Sequence, residues 1–325
     1  MNWLLVVILA LLVVGLLYES IAGRCELRHF SPPGRIIEVK GVSFHCQVLG
    51  ERKPGQPLVV LEPGLMFWSR FFDPVSQDLN SSARVFAYDR AGYGWSQPSK
   101  SRRTPAFIAE ELHALLASAD EPPPYLLVGH SMGGVFVREF HRRYPGEVSG
   151  LVLLDSAHEK QFAFLPMARA ETGSLLTLLA ILSVLARFGI IRAFLQPLLL
   201  KNFSSVKGQM DERAFKALAS SPSFFITGWR EARAFLDQKE FPEDTPDLGD
   251  LPLAVIRARY PEQPPGRMLR QKYQELVTGW TRIQEDLASR STRGRLITAS
   301  APGHNLMHVE PDLIIKTIRE MLQKT

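Results

Sequence analysis

The sequence predicts an α/β fold: a mostly parallel sheet, opened by an N-terminal antiparallel hairpin and carrying a helical cap inserted after the sixth strand. Three observations lead there. Six apolar runs, PLVVLEPG, RVFAYDR, PYLLVGHS, GLVLLDS, LPLAVIRA and GRLITAS, each suit a short buried strand. Between them AFIAEELHALLASA and MGGVFVREFHRRY carry apolar residues at helical spacing, and continuous apolar strands alternating with helices mark a parallel sheet covered on both faces. Between Asp155 and Leu251 the rhythm stops, with no convincing strand.

The first element lies outside this pattern. Met1 to Tyr18, MNWLLVVILALLVVGLLY, has no charged side chain, and its length is at the lower edge of what spans a bilayer, about 17–25 residues. Trp3 and Tyr18 stand near its ends, where aromatic rings favour the membrane interface. Residues 1–22 are therefore expected to be a single-pass membrane anchor. The alternatives are a signal segment cleaved at Ser20-Ile21-Ala22, giving a secreted chain, or a buried helix. Cleavage is disfavoured because no Lys or Arg precedes the apolar run and Glu19 interrupts the approach to the small residues. The mixed charges of Glu19, Arg24, Glu26 and Arg28 set no orientation.

The 325 residues, 46% of them hydrophobic, suffice for one large core or two small ones. A net charge of +5 without a long basic run points away from nucleic acid and suits weak attraction to anionic lipid. Lys100, Arg102 and Arg103 read as a solvated loop. Cys25 and Cys46 form neither a disulfide framework nor a metal cluster by spacing, and no bridge between them is expected.

From Arg35, IIEVKGVSFHCQVLG alternates apolar and polar residues about Gly41, as an antiparallel hairpin does. The first part of the core is assigned to 35–156, the cap to 157–250 and the second part of the core to 251–325. In the cap, SLLTLLAILSVLA (Ser174 to Ala186) is apolar all round and too short to span a membrane, so a buried or interfacial helix is expected. Such a helix would offer an apolar wall to a lipid-like ligand. FPEDTPDLGDLP, rich in Pro and acid, marks the return to the core.

Gly129-His130-Ser131-Met132-Gly133 fits G-x-S-x-G. The motif alone is weak, but here YLLVG ends a strand and MGGVFVREF begins a helix, as a nucleophile elbow requires. A turn that sharp holds the serine in a strained conformation and needs small residues two before and two after it, which Gly129 and Gly133 supply. The helix N-terminus then directs N–H groups and positive dipole potential at the reacting oxygen. A serine also needs a base. His304 follows Pro302-Gly303 in the loop leaving the last strand and is the candidate. His308 stands nearer the final helix, whose first turn carries Pro311, and is expected to pack or cap there.

Together VVLEPGL, YDRAGYGWS, LLVGHSMGG, GLVLLDSAH and GHNLMHVEP make the chain from about Arg35 onward resemble the α/β-hydrolase superfamily, in particular its serine-hydrolase branch with an inserted helical cap. The resemblance implies Ser131 as nucleophile, His304 as base and no metal or organic cofactor. Where the family often has His-Gly, this chain has Glu62-Pro63-Gly64-Leu65. The backbone N–H groups of Leu65 and Met132 can still form the oxyanion hole. Asp89-Arg90 reads as structural scaffolding. The family's acid most often follows the strand that here reads LAVIRA, where only Glu262 is acidic; Asp155, ending GLVLLD, is the favoured acid, Glu262 the alternative, and an absent or unrecognised acid the third reading. The expected chemistry is cleavage of carboxylic esters, lipophilic ones included, through an acyl-enzyme, as in carboxylesterases and lipases. Acyl transfer and thioester, lactone or amide cleavage would use the same residues; a non-catalytic membrane-tethered binding protein is the competing class. The expected partners are a small-molecule or lipid-like acyl ester and a membrane, with oligomeric state unassigned.

Overall fold

Alternation within each buried strand divides the core. In the computed structural model, which describes residues 3–197, 211–238, 241, 247–264, 266 and 268–324, strand β3 (Leu58–Glu62) is buried throughout. Val59 and Leu61 enter one apolar cluster, and Leu58 and Val60 enter the cluster on the opposite face. Side chains of successive strand residues point to opposite faces, so a strand with no polar face must be covered twice. Helices α2 (Asp73–Leu79) and α11 (Pro311–Leu322), with the short α10 (Leu306–Val309) before it, cover the first face; α3 (Pro105–Ser118), α4 (Met132–Arg143) and α9 (Arg270–Ser289) cover the second.

The sheet has eight strands in the order β1-β2-β4-β3-β5-β6-β7-β8. The hairpin of β1 (Arg35–Val39) and β2 (Val42–Leu49) is antiparallel, and β2 pairs antiparallel with β4 (Val85–Tyr88). Strands β3, β4, β5 (Tyr125–His130), β6 (Val148–Leu154), β7 (Leu253–Arg259) and β8 (Gly294–Pro302) pair in parallel. After β3 the chain moves to one side for β4 and then returns to the other for β5. The carboxyl ends of β3 and β5 therefore flank a topological switch point, where open α/β sheets form their binding crevice.

Between β6 and β7 come α5 (Gln161–Phe164), α6 (Met167–Arg187), a π-helical turn at Ile191–Leu195, α7 (Glu212–Ala219) and α8 (Pro222–Asp237). The structure corrects two expectations here. The apolar segment Ser174 to Ala186 lies inside a helix of 21 residues, long enough to span a bilayer, and it is not buried all round. Arg103, expected in a solvated loop, is buried between Glu111 and Glu231, while Lys100 and Arg102 are exposed. Cap residues 198–210 and 239–240, positions 242–246 of the acidic return, and Met1 and Asn2 lie outside the described residues.

Helix α1 runs from Trp3 to His29, past the apolar run, and its first half is exposed. Cys25 is exposed on it, and Cys46 is buried in β2.

The elbow depends on close backbone contact. A Cβ on Gly133 would lie 2.3 Å from the Glu62 carbonyl oxygen and 2.6 Å from that of Pro63, whereas one on Gly146 would meet nothing within 4 Å. Gly133→Ala is expected to lower stability by at least about 1–3 kcal/mol, as overpacking does, and Gly146→Ala to be near neutral. Urea unfolding of the two variants, followed by circular dichroism, checks the contrast.

Candidate active site

Ser131 sits between β5 and α4 with φ 52° and ψ −122°, a conformation that a residue with a Cβ rarely adopts. Three backbone hydrogen bonds hold it there. The Ser131 N–H donates to the Leu154 carbonyl at 3.0 Å, and the Ser131 carbonyl accepts from Gly134 at 3.0 Å and Ala157 at 2.9 Å. Met132 is the first residue of α4, so its N–H has no intrahelical acceptor and points out of the helix N-terminus. Gly64 lies against the elbow: a Cβ there would be 3.1 Å from Ser131 Cβ. Leu65 therefore follows directly beside the serine, and the backbone of both oxyanion candidates comes to the switch point.

Asp155 follows β6 with φ 40°, another left-handed residue at the same sheet edge. Its side chain is buried, and His304 Nδ1 lies 2.6 Å from Asp155 Oδ2. Oδ1 accepts from the Ala258 N–H at 2.9 Å and from Trp280 Nε1 at 2.8 Å, while the Tyr260 hydroxyl donates to Oδ2 at 3.3 Å. This carboxylate is thus satisfied on both oxygens, which makes burying it affordable. With Nδ1–H committed to Asp155, the His304 ring keeps Nε2 as a base. Glu262 is exposed in the loop after β7 and has no hydrogen bond to His304.

The structure brings Asp155 and His304 into direct contact and places Ser131, Leu65 and Met132 at the adjoining strand ends. Among the described residues no hydrogen bond joins Ser131 Oγ to His304. The two segments are tied instead by His130, whose Nε2–H donates to the His304 carbonyl at 3.1 Å while its ring stacks on Phe67 at 5.5 Å. Burial, with the neighbouring His304, holds the His130 imidazole well below its ordinary pKa, so it stays neutral. His308 packs edge-on against Phe71, and burial lowers it to about 4.

The loop after β3 hangs on Arg90. Its Nη1 donates to Glu62 at 2.7 Å and to the Pro63 carbonyl at 2.5 Å; Nη2 donates to the Gly64 carbonyl at 2.7 Å and to Glu231 at 3.0 Å; Nε donates to Glu231 at 3.1 Å. All five guanidinium hydrogens are used. Glu231 comes from α8 in the cap and also accepts from the Tyr93 hydroxyl at 3.0 Å. Burial pushes the Glu62 carboxyl up to about 6, against the opposing pull of Arg90 and the Tyr88 hydroxyl. Asp89 serves the neighbouring turn: it accepts from the Ser69 N–H and hydroxyl and from the Trp95 N–H, and it pairs with His45.

Sequence reasoning did not single out Trp280, Tyr260, Glu231 or the support given by His130. For Trp280 a signal was present: Tyr273, Leu276, Trp280, Ile283 and Leu287 recur at helical spacing on what proves to be α9. Glu231 carries no such mark, since its partners are about 140 residues away in the chain.

A family model for the alpha/beta hydrolase fold matches residues 57–178, which include β3, the elbow and Asp155. The uncharacterized protein YqjL of Bacillus subtilis is 36% identical over 131 residues, 39% of this chain and 51% of that protein. The chain thus spans about half the length of this relative. An AB hydrolase superfamily protein of Gibberella zeae is 25% identical over 290 residues, 83% of this chain and 87% of its own length. Among solved structures, a thermophilic esterase from Thermogutta terrifontis superposes with a TM-score of 0.61 at 19% identity, covering 89% of this chain and 98% of that one. At that identity the likeness is one of fold. An eight-stranded sheet of this order, an elbow at its switch point and these likenesses together give the chain the α/β-hydrolase fold.

Proposed function

We propose that the protein is a membrane-anchored serine hydrolase that cleaves carboxylic esters through an acyl-enzyme, with Ser131, His304 and Asp155 as its triad. The observation that carries the reading is the Asp155–His304 contact of 2.6 Å at the sheet edge where Ser131 occupies its strained turn. In this scheme Ser131 Oγ attacks the ester carbonyl carbon and His304 Nε2 takes the hydroxyl proton. Asp155 holds the ring and stabilises the imidazolium. The N–H groups of Leu65 and Met132 stabilise the oxyanion. Collapse of the tetrahedral species expels the alcohol with the proton from His304, and water then repeats the sequence on the acyl-Ser131 ester.

Residues 35–156 and 251–325 form the core in this reading and 157–250 the cap. Helix α1 is the anchor, and its continuation supports retention over signal cleavage. The buried Arg192 donates from Nε to Glu19 at 2.9 Å and from Nη2 at 2.8 Å, so loss of residues 1–22 would leave this cap arginine without its two-pronged partner.

Ser131→Ala and His304→Ala are each expected to cut ester turnover at least about a thousandfold, because the two act as one unit. Ser131→Ala should also abolish labelling by a fluorophosphonate probe, and His308→Ala should keep most activity. Persistent labelling of the Ser131 variant would remove the proposal. Asp155→Asn is expected to lower turnover by as much as about ten-thousandfold through the wrong imidazole tautomer, with Glu262→Gln near wild type. The reverse ranking, on variants of normal melting temperature, would put the acid after β7. Glu231→Gln, which leaves Arg90 with less charge to hold it against the oxyanion loop, is expected to lower kcat by up to about a hundredfold with a smaller change in KM. Steady-state kinetics on a soluble short-chain ester reads that split.

A further inference from the structure

Helix α6 has two apolar faces that meet different surroundings. On one, Leu176, Leu179 and Ala186 are buried in the core cluster against which Leu65 and Met66 of the oxyanion loop also pack. On the other, Leu178, Ile181 and Val184 recur at i, i+3 and i+6 and are 51%, 53% and 55% exposed. No charge interrupts the helix between Glu171 and Arg187. Just beyond its end Phe194 is 77% exposed, and Ile190 is exposed beside it. Singly exposed apolar residues need no explanation, but an ordered stripe continued into the next turn does.

The helix that touches this region is α1. A Cβ on Gly15 would lie 2.5 Å from the Phe188 carbonyl oxygen, and one on Gly189 would lie 2.5 Å from Tyr18 Cδ1. The two backbones approach this closely only because both residues are glycine. About one and three turns further along α1, Glu19 and Glu26 close on the buried Arg192. The cap edge from Phe188 to Arg192 is thus fixed alongside α1 at Gly15 to Glu26, where the uncharged run gives way to charge. If Met1 to Tyr18 occupy the hydrocarbon, a cap edge at Gly15 lies roughly 4–5 Å inside the end of that run, at 1.5 Å per residue. The side chains flanking the junction then meet the headgroup and upper acyl region, the depth at which interfacial helices bury their apolar face.

We propose that the outer face of α6, with Ile190 and Phe194, is a lipid-docking surface that lays the cap on the leaflet holding α1, so that the site draws acyl esters dissolved in that leaflet. This rests on reading α1 as an anchor and Ser131 as the nucleophile. The occupant is a phospholipid leaflet, not a second copy, because α6 packs beside α1, whose exposed length and composition suit a bilayer.

The test uses the full-length chain with Cys25→Ser, bound to phosphatidylcholine vesicles. An environment-sensitive fluorophore is placed at Ile181→Cys or, as control, at Lys53→Cys, which precedes β3 at the opposite edge of the sheet. The probe at position 181 should be quenched by acyl-chain nitroxide lipids and the probe at 53 should not. Ile181→Asp with Val184→Asp should reduce turnover of a long-chain ester carried in the vesicles at least about tenfold, while a water-soluble acetate ester stays within about twofold. A vesicle-bound protein whose 181 probe is as unquenched as the control overturns the docking surface and leaves the anchor standing. A 181 probe that is already buried in lipid-free protein through self-association also overturns it, in favour of a second copy. Chain that stays free of vesicles overturns docking and anchor together. Quenching at 181 without hydrolysis of either ester supports the surface while removing the hydrolase reading.

Discussion

The turn at Ser131 constrains everything around it. A non-glycine residue at φ 52° and ψ −122° costs about 1–3 kcal/mol and persists only where its surroundings leave no alternative. Here β5 is held by strands on both sides, with Gly129 paired to Glu62 on one flank and Leu153 on the other, and α4 starts one residue after the serine. Helix α4 must approach the end of β3 so closely that Gly133 meets the carbonyls of Glu62 and Pro63. The strain, the glycines and the helix N-terminus are one arrangement. It holds Ser131 at the carboxyl edge of the sheet, with the N-terminus of α4 opening at the same place.

A second constraint links that edge to the cap. Arg90 and Glu231 are fully buried, and isolated charges there would be prohibitive. Their mutual bonds, with Glu62, Tyr93 and two loop carbonyls, make the burial tolerable and fix the loop geometry as a consequence. Because one partner sits on α8 and the other follows β4, the loop after β3 and the cap cannot shift independently without breaking charge-assisted hydrogen bonds. Arg103 extends the same network to Glu111 on α3. Its burial shows why a three-residue basic cluster in sequence gives no reliable reading of solvation: one of the acids that accept it, Glu231, is 128 residues away in the chain.

Much of the sheet was legible because burial on both faces removes alternation from a parallel strand, and all six apolar runs proved to be strands. The hairpin was legible for the opposite reason, apolar and polar residues alternating in sequence on each side of Gly41. Helix α6 was misjudged in length because Met167 to Gly173 contains charge and glycine, yet these continue the helix as its less apolar first two turns. Helix α9 went unread although its spacing was present. That Glu262 is the only acid after LAVIRA pointed away from that strand, but only the fold turns the Ala258 N–H and the Tyr260 hydroxyl toward Asp155.

What the sequence determined by itself follows from local chemistry: apolar periodicity for the strands, small residues around Ser131 for the turn, and an uncharged N-terminal run for a lipid-compatible helix. The tertiary structure decided what depends on separation in space. His304 is 149 residues from Asp155 in the chain and 2.6 Å from it in the fold, because the end of β6 faces that ring. The Arg90 guanidinium reaches both the loop after β3 and a cap helix. The outward face of α6 emerges only when the inward one is seen packed. No pattern along the chain encodes these pairings, because a hydrogen bond or a buried charge is satisfied by whichever group the fold carries to it.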